Sequence, residues 1–394
     1  MMIQAVLGNP NHPEYGVATI PFPIPHDQYA HCMELLEALE IGDAVKTDCK
    51  VEAVGSFFSV LKRTEMLTVN VEELNYLAKR LDSFDTGEAA QFQAMAHKLE
   101  LFELKDLINL TFCCQQATVI TDFSDLAAIG RNHYMNLHGG SASVDELNAL
   151  DGKETARQLI ENCGGTITPY GVVYDNGMKL EPVYDGRFFP CYYYEPNAIT
   201  VAVTSKAEPE DTEHITWLFL PMIQEEVDRA LLRGGITDPA DARLRLEDSQ
   251  LPNEVDVLLD MEYETLFDLN ELAAATDGLS NADMEKLGAV VMLAKPKSAA
   301  QIKNLVESLD LFDFAPGAHT PQEYGKYMIQ QSGHFDYDEN LDAFYDYEKY
   351  GTERMNEEDG MFTGRGYIAY KGYTSLAEIM DGNQSSRIEM GGMA

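Results

Sequence analysis

The chain has 394 residues, with 66 Asp+Glu against 28 Lys+Arg, a formal net charge of −38. Hydrophobic residues make up 45%, ordinary for a globular protein, so the acids lie on the surface of something that folds rather than in a disordered tail. Such a surface repels nucleic acid and anionic membranes and attracts basic partners, which excludes a DNA-binding or membrane-surface protein as a first reading.

The opening residues, Met1 to Pro10, lack a basic segment and a long apolar core, so a secretory signal is not expected. No apolar run reaches the ~18 residues of a membrane span. The six cysteines fall in the first half and include no C-x-x-C pair; free, mostly buried thiols in a cytoplasmic protein are the expectation.

In chain order, the alternation predicts strands at Gln4–Leu7 and Val17–Phe22. An amphipathic helix follows on Tyr29, Met33, Leu36 and Leu39, then a strand near Lys50–Val54. Helices are predicted at about Val71–Leu81, Glu88–Lys98, Leu104–Leu110 and Asp125–Leu137. After Pro196-Asn197 the order returns. Strands are predicted at Thr200–Thr204, Ile215–Leu220 and Ala242–Leu246, with a helix on Val227, Ala230 and Leu231 before the third. Helices then come at about Leu266–Ala275, Asn281–Leu293, Ala299–Leu309 and Pro321–Gln331. Asp125, Asn281 and Thr320 are the expected helix caps.

The recurrence extends to residues. Pro23 and Pro221 are 198 apart; Leu74-Asn75-Tyr76-Leu77-Ala78 matches Leu269-Asn270-Glu271-Leu272-Ala273 at 195; Gly130 answers Gly325; and Tyr170-Gly171 answers Arg365-Gly366, again at 195. A period held from end to end indicates duplication. The expected fold is therefore α+β: an elongated, multi-domain chain of two tandem units, residues 1–196 and 197–380, with a flexible tail at 381–394. Each unit would combine a small antiparallel sheet plus helix, a helical middle and a small acidic α/β end. Residues 1–197 hold 28 acids and 13 bases, net −15, which leaves 38 and 15, net −23, for the remainder. Acidity belongs to both units.

Catalytic signatures are absent. There is no H-E-x-x-H, no G-x-x-x-x-G-K-[ST] and no G-x-S-x-G. His133 and His138 are five apart and read as structural or surface residues. Glu103-Leu104-Lys105 has a nuclease-like E-x-K form but sits in a helical run. Asp336-Tyr337-Asp338-Glu339-Asn340 opens like a calcium loop, then offers Leu341 where a turning glycine is needed and Tyr347 where a bidentate Glu belongs. No catalytic residue, metal or cofactor is expected.

The same segment reads better as a charged face. If helical, Asp338, Asp342 and Asp346 form one stripe at four-residue spacing, with Glu339 and Glu348 beside it, and Asp256, Asp260 and Glu264 repeat the pattern. Four helical residues rise about 6 Å, comparable to the phosphate spacing along a DNA strand. Duplex DNA carries one charge per ~1.7 Å, so this net charge corresponds to roughly 65 Å of duplex. An ordinary solvated acidic face is the plain alternative.

At these residues the chain resembles the ArdA family of antirestriction proteins. The resemblance is carried by Trp217-Leu218-Phe219-Leu220-Pro221 with Glu225-Glu226-Val227, then Glu247-Asp248-Ser249 with Pro252, and Leu269-Asn270-Glu271-Leu272. Gly325-Lys326-Tyr327 and the acidic-aromatic run Asn340 to Gly351 complete it. The first unit is more divergent, with Asp145-Glu146-Leu147-Asn148 where the second has its Tyr/Asp-rich run. The resemblance implies an acidic mimic of bent DNA that occupies the DNA-binding groove of type I restriction-modification enzymes, without catalytic residues or cofactor. Its partner surface would include Asp256, Asp260, Glu264, Asp338, Glu339, Asp342, Asp346 and Glu348. ArdA-like proteins typically pair, so a fused chain would be a monomeric pseudo-dimer or a homodimer. The rival classes are an acidic scaffold or chaperone, an inhibitor of another basic nucleic-acid-binding complex, and an enzyme or metal-binding protein with incidental acidity.

Overall fold

The computed structural model describes residues 3–208 and 212–382, so all of the expected flexible tail beyond Gly382 lies outside the described residues. Alternation puts Ile3, Ala5 and Leu7 on the buried face of β1 (Ile3–Gly8). It pairs antiparallel with β2 (Val17–Phe22) and β3 (Cys49–Gly55), and β4 (Thr68–Val69) extends the sheet in the order β2-β1-β3-β4. α1 (Tyr29–Ala38) buries Tyr29, Cys32, Met33 and Leu36.

The same core continues through α2 (Val71–Asp82), α3 (Thr86–Lys98) and α4 (Leu104–Leu110), where Leu74, Leu77, Leu81, Phe92 and Leu107 are buried. A smaller α/β piece follows: β5 (Thr118–Ile120), α5 (Leu126–Leu137), α6 (Val144–Ala149), α7 (Gly152–Asn162), β6 (Thr166–Thr168) and β7 (Gly171–Tyr174). Its sheet runs β5-β7-β6, antiparallel throughout.

The second half of the chain has a similar, not identical, order of elements. β8 (Ile199–Ser205), β9 (Thr216–Leu220) and β10 (Ala242–Ser249) form a sheet β10-β8-β9, with α8 (Gln224–Arg233) between the second and third strands in sequence. Then come α9 (Asn253–Leu258), α10 (Leu266–Thr276), α11 (Asn281–Ala294) and α12 (Ala299–Val306). The end piece is β11 (Phe312–Pro316), α13 (Pro321–Gln330), α14 (Tyr347–Glu357), β12 (Asp359–Thr363) and β13 (Gly366–Tyr370), with the sheet β11-β13-β12, followed by α15 (Leu376–Met380). The chain is α+β, assembled from several small antiparallel sheets and helices.

Two compact units emerge from the contacts. One holds the chain up to Glu195 together with Thr212–Thr216 and Ile223–Thr237; the other holds the segment after Pro196, Trp217–Met222 and the chain from Asp238 onward. Helix α8 therefore packs with the first compact unit, although its sequence follows Pro196.

Local contacts recur at intervals of 195 to 198 residues. Asn75 Oδ1 accepts the Ile24 N–H at 2.9 Å, and Asn270 Oδ1, 195 residues later, accepts the Met222 N–H at 2.8 Å. The Phe22-Pro23 and Leu220-Pro221 bonds are both cis. Thr168 and Thr363, 195 apart, each donate to the carbonyl of the glycine three residues on, at 2.8 Å. Those glycines, Gly171 and Gly366, have φ of 126° and 139°, a region side chains avoid. A Cβ there would sit 2.7 Å from Ile120 O and 2.2 Å from Ala315 O.

Asp125 and Thr320 cap their helices as expected, accepting from Ala128 and Glu323. The cap of α11 is Ser280, which accepts from Asp283, rather than Asn281. The helix expected to run to Leu309 stops at Val306, and a separate 3-10 turn spans Leu309–Leu311.

Candidate acidic interface

In the end piece of the second unit, α13 and α14 cross at two glycines. A Cβ on Gly325 would lie 2.0 Å from Tyr347 O, and one on Gly351 would lie 1.9 Å from Pro321 O. This close backbone approach fixes where α14 begins and leaves the connecting segment on the outside. Residues 336–359 hold ten acids and two bases, net −8. Asp336, Asp338, Glu339, Asp342, Asp346, Glu348, Glu353, Glu357 and Asp359 are all exposed.

These acids are positioned by particular bonds. Asp338 opens a 3-10 turn, Glu339–Phe344, and its side chain accepts the Asn340 N–H at 2.9 Å. Asp346 caps α14, accepting the Lys349 N–H at 3.1 Å. Asp342 Oδ1 accepts from the Tyr337 hydroxyl and the Gln330 amide, both at 2.8 Å, and from the Tyr347 hydroxyl. These donors, Tyr347 first, hold its carboxyl below the usual range, so it stays ionised. The continuous helical stripe through Asp338, Asp342 and Asp346 does not form. The 3-10 turn ends at Phe344, the chain is extended at Tyr345, and Asp346 starts a new helix. The three residues share one exposed segment, held by caps and a phenol cluster instead of by helical periodicity.

The second expected stripe also fails, because α9 ends at Leu258 and Glu264 turns inward. Both Glu264 carboxylate oxygens accept the Ala299 N–H, at 3.1 and 3.0 Å, at the start of α12. Glu264 supplies an acceptor at the end of a helix where backbone donors are otherwise unmet. Burial raises its pKa. Asp256 is half-buried, and burial raises its carboxyl too. Asp260 alone of this set is exposed, its Oδ1 accepting the Glu262 N–H at 3.2 Å.

Other acids serve internal pairs that no local spacing announces. Glu254 takes a two-pronged bond from Arg365 at 2.9 and 2.8 Å, which holds its carboxyl below the usual range. In the first compact unit, Glu72 accepts Arg229 Nε at 2.6 Å, and Glu73 lies 3.7 Å from Arg233. The end piece of the first unit is less charged: residues 141–164 hold five acids and two bases, net −3.

Among the described residues, no group of three or more His, Cys, Asp or Glu side chains is placed to hold a metal ion. His133 bonds Thr118 at 2.9 Å and His138 bonds the Tyr134 carbonyl at 2.7 Å. None of the six cysteines is in a disulfide; Cys32, Cys49, Cys113 and Cys114 are buried, whereas Cys163 is exposed. Glu103 is the extended residue just before α4 and Lys105 lies within the helix, so the E-x-K run spans a helix start rather than lying on a strand. No helix among the described residues is long and apolar enough to cross a membrane.

Residues 212–369 match the model of the antirestriction protein (ArdA) family. This part of the chain is ArdA-like. The matched range takes in β9 through nearly all of β13, including the acidic segment described above. The family is one of antirestriction proteins, inhibitors rather than enzymes. No curated protein matches the chain.

Proposed function

We propose that the protein is an antirestriction inhibitor made of two ArdA-like units in tandem, residues 1–196 and 197–380. Its exposed carboxylates stand in for DNA phosphates in the DNA-binding groove of a cytoplasmic type I restriction-modification enzyme. The observation that carries this reading is the segment 336–359, where nine exposed acids lie inside the ArdA-like range. A phosphate substitute must be ionised, outward and fixed; Asp342, held by three donors on one oxygen, meets those conditions. Asp260, Asp338, Glu339, Asp342, Asp346 and Glu348 are the proposed contacts, while buried Glu264 and half-buried Asp256 act within the fold.

Duplication is supported by the paired contacts at Asn75 and Asn270, at Thr168 and Thr363, and at Gly171 and Gly366. Both halves being present in one chain, the particle is proposed to be monomeric. Its mass in light scattering would then stay near 43.9 kDa at every concentration.

The test is competition with DNA for the methyltransferase core of a type I enzyme. Six to ten neutralised charges imply a loss of roughly 10³-fold or more in affinity between 50 and 200 mM salt. Binding that is indifferent to salt, or that leaves DNA bound, refutes mimicry.

A further inference from the structure

Glycine weakens the interior of a helix, yet α11 carries Gly288 in its middle, and what the missing side chain admits is Arg365. A Cβ on Gly288 would lie 2.3 Å from Arg365 Nε and 2.7 Å from its Cδ. Arg365 comes from the Gly364-Arg365 turn between β12 and β13, and its side chain crosses α11 at that glycine. There it meets two acids. Glu254 of α9 takes the two-pronged bond described above, and Glu285 of α11 pairs with the remaining guanidinium nitrogen at 2.8 Å. All three nitrogens of the fork are thus held by two carboxylates, an arrangement that fixes direction as well as charge. Helix α11 also packs against α9 and against β11, β12 and β13. The clasp therefore closes the joint between the helical middle and the end piece that carries the acidic segment.

Counting back 195 residues, Arg365, Glu254 and Gly288 become Tyr170, Ser59 and Gln93. The Tyr170 and Ser59 hydroxyls lie 3.0 Å apart, so the same two positions meet there through a neutral bond. This parallel rests on the duplication proposed above; the clasp itself does not. Partly exposed ion pairs add little to stability, so a glycine that weakens its helix is explained by the geometry it admits. We propose that Arg365 is a positioning residue for the acidic interface: held by Glu254 and Glu285 across Gly288, it fixes segment 336–359 against the helical middle. Asp260, just beyond α9, and the acids of the end piece then reach a basic groove as one pre-arranged surface, which leaves less to be ordered on binding. The role in binding rests on the mimicry reading.

Two variants of the full chain keep every proposed contact acid. R365A removes one base and takes the net charge from −38 to −39, so bulk charge alone would tighten binding to a basic groove. Positioning predicts the opposite: displacement of DNA from the methyltransferase core should weaken about tenfold. G288A leaves the charge unchanged and favours the helix, but its Cβ takes the place of Arg365 Nε; it should weaken displacement about threefold without lowering the urea midpoint. It carries the test if R365A fails to fold. Spin labels at the exposed residues Ala282 of α11 and Asn356 of α14, with Cys163 and Cys191 changed to serine, read the joint with no restriction enzyme present. One narrow distance in the otherwise unchanged chain, broadened or shifted by R365A and G288A, is the expected result. The same narrow distance in all three, or displacement that both variants leave unchanged or tighten, overturns the proposal. If the wild type itself leaves DNA bound, mimicry fails, and the distances still decide whether Arg365 fixes the joint.

Discussion

Removing the guanidinium of Arg233 is the sharpest single perturbation of the first compact unit. This last residue of α8 is 5% exposed. It donates to Arg187 O at 2.8 Å, Ala44 O at 2.9 Å, Asn70 Oδ1 at 3.0 Å, Gly186 O at 3.2 Å and the Tyr184 hydroxyl, and it stacks on Phe189. Arg233→Ala strands those acceptors and leaves the Glu73 carboxylate without its cation. Breaking a buried pair from one side costs about 3–5 kcal/mol. At a urea dependence of about 2 kcal/mol per molar, this would move the unfolding midpoint down by about 2 M. Lysine cannot supply the planar fork, so Arg233→Lys should recover little. The double variant Arg233→Ala/Glu73→Gln, which removes the stranded charge, should recover about half.

The pH dependence follows from Glu73. Burial is the leading influence and sets its carboxyl above the ordinary value of 4.5, with Tyr184 and Arg233 opposing. A carboxyl raised on folding contributes stability below 4.5 and loses it as pH rises through the raised value. Without Arg233 that value rises further, so the penalty should be larger at pH 7 than at pH 4.5. A loss under about 1 kcal/mol at neutral pH, or one that grows on acidification, would refute the assignment of Arg233 as a buried, charge-paired fastener.

Glu264→Ala removes the acceptor for the Ala299 N–H and should cost about 1–2 kcal/mol in thermal unfolding while leaving inhibition untouched. D338N/D342N/D346N should keep the fold, because Asn caps helices nearly as well as Asp, yet weaken inhibition; full inhibition would remove this segment from the contact surface. Gly351→Ala places a Cβ 1.9 Å from Pro321 O, which forces α13 and α14 apart at a cost of about 3 kcal/mol, measurable as loss of hydrogen-exchange protection in both helices.

Much of the architecture was legible because it is periodic. Alternation located β1, β2 and β3, and apolar spacing located α2, α4, α5 and α10 to within a residue or two. The glycines at 130 and 325 were visible as matching positions, but their crossing partners Gly152 and Gly351 were not, since nothing in sequence says which helix a glycine will meet. The acid stripes failed for a similar reason. Four-residue spacing makes a stripe only if the helix is continuous, and Asp338 and Asp346 are residues that end continuity by capping. Glu264 looked like a surface acid because its partner, Ala299, lies 35 residues away. The docking of α8 depends on arginine contacts spanning 157 to 189 residues, beyond any local pattern.

The structure also divides the acids by task, and this changes what the net charge means for recognition. Glu72, Glu73 and Glu254 neutralise arginines inside the fold, and Glu264 meets a helix end. Those groups are already paired within the fold, so equating −38 with about 65 Å of duplex overstates the usable surface. The segment 336–359, net −8, corresponds to about 14 Å of duplex at one charge per ~1.7 Å; its counterpart at 141–164, net −3, corresponds to about 5 Å. Asp338 and Asp346 do both jobs at once: each accepts a backbone N–H and remains exposed. A capping acid is held in place by the helix it caps, and the positive end of that helix eases the cost of crowding like charges. Fixing an exposed carboxylate by a cap therefore lowers both the entropy lost on binding and the repulsion borne before it. Under the proposed mimicry, rigid, unequal clusters of this kind would give the two halves of the chain different shares of the electrostatic contact, with the larger share in the second.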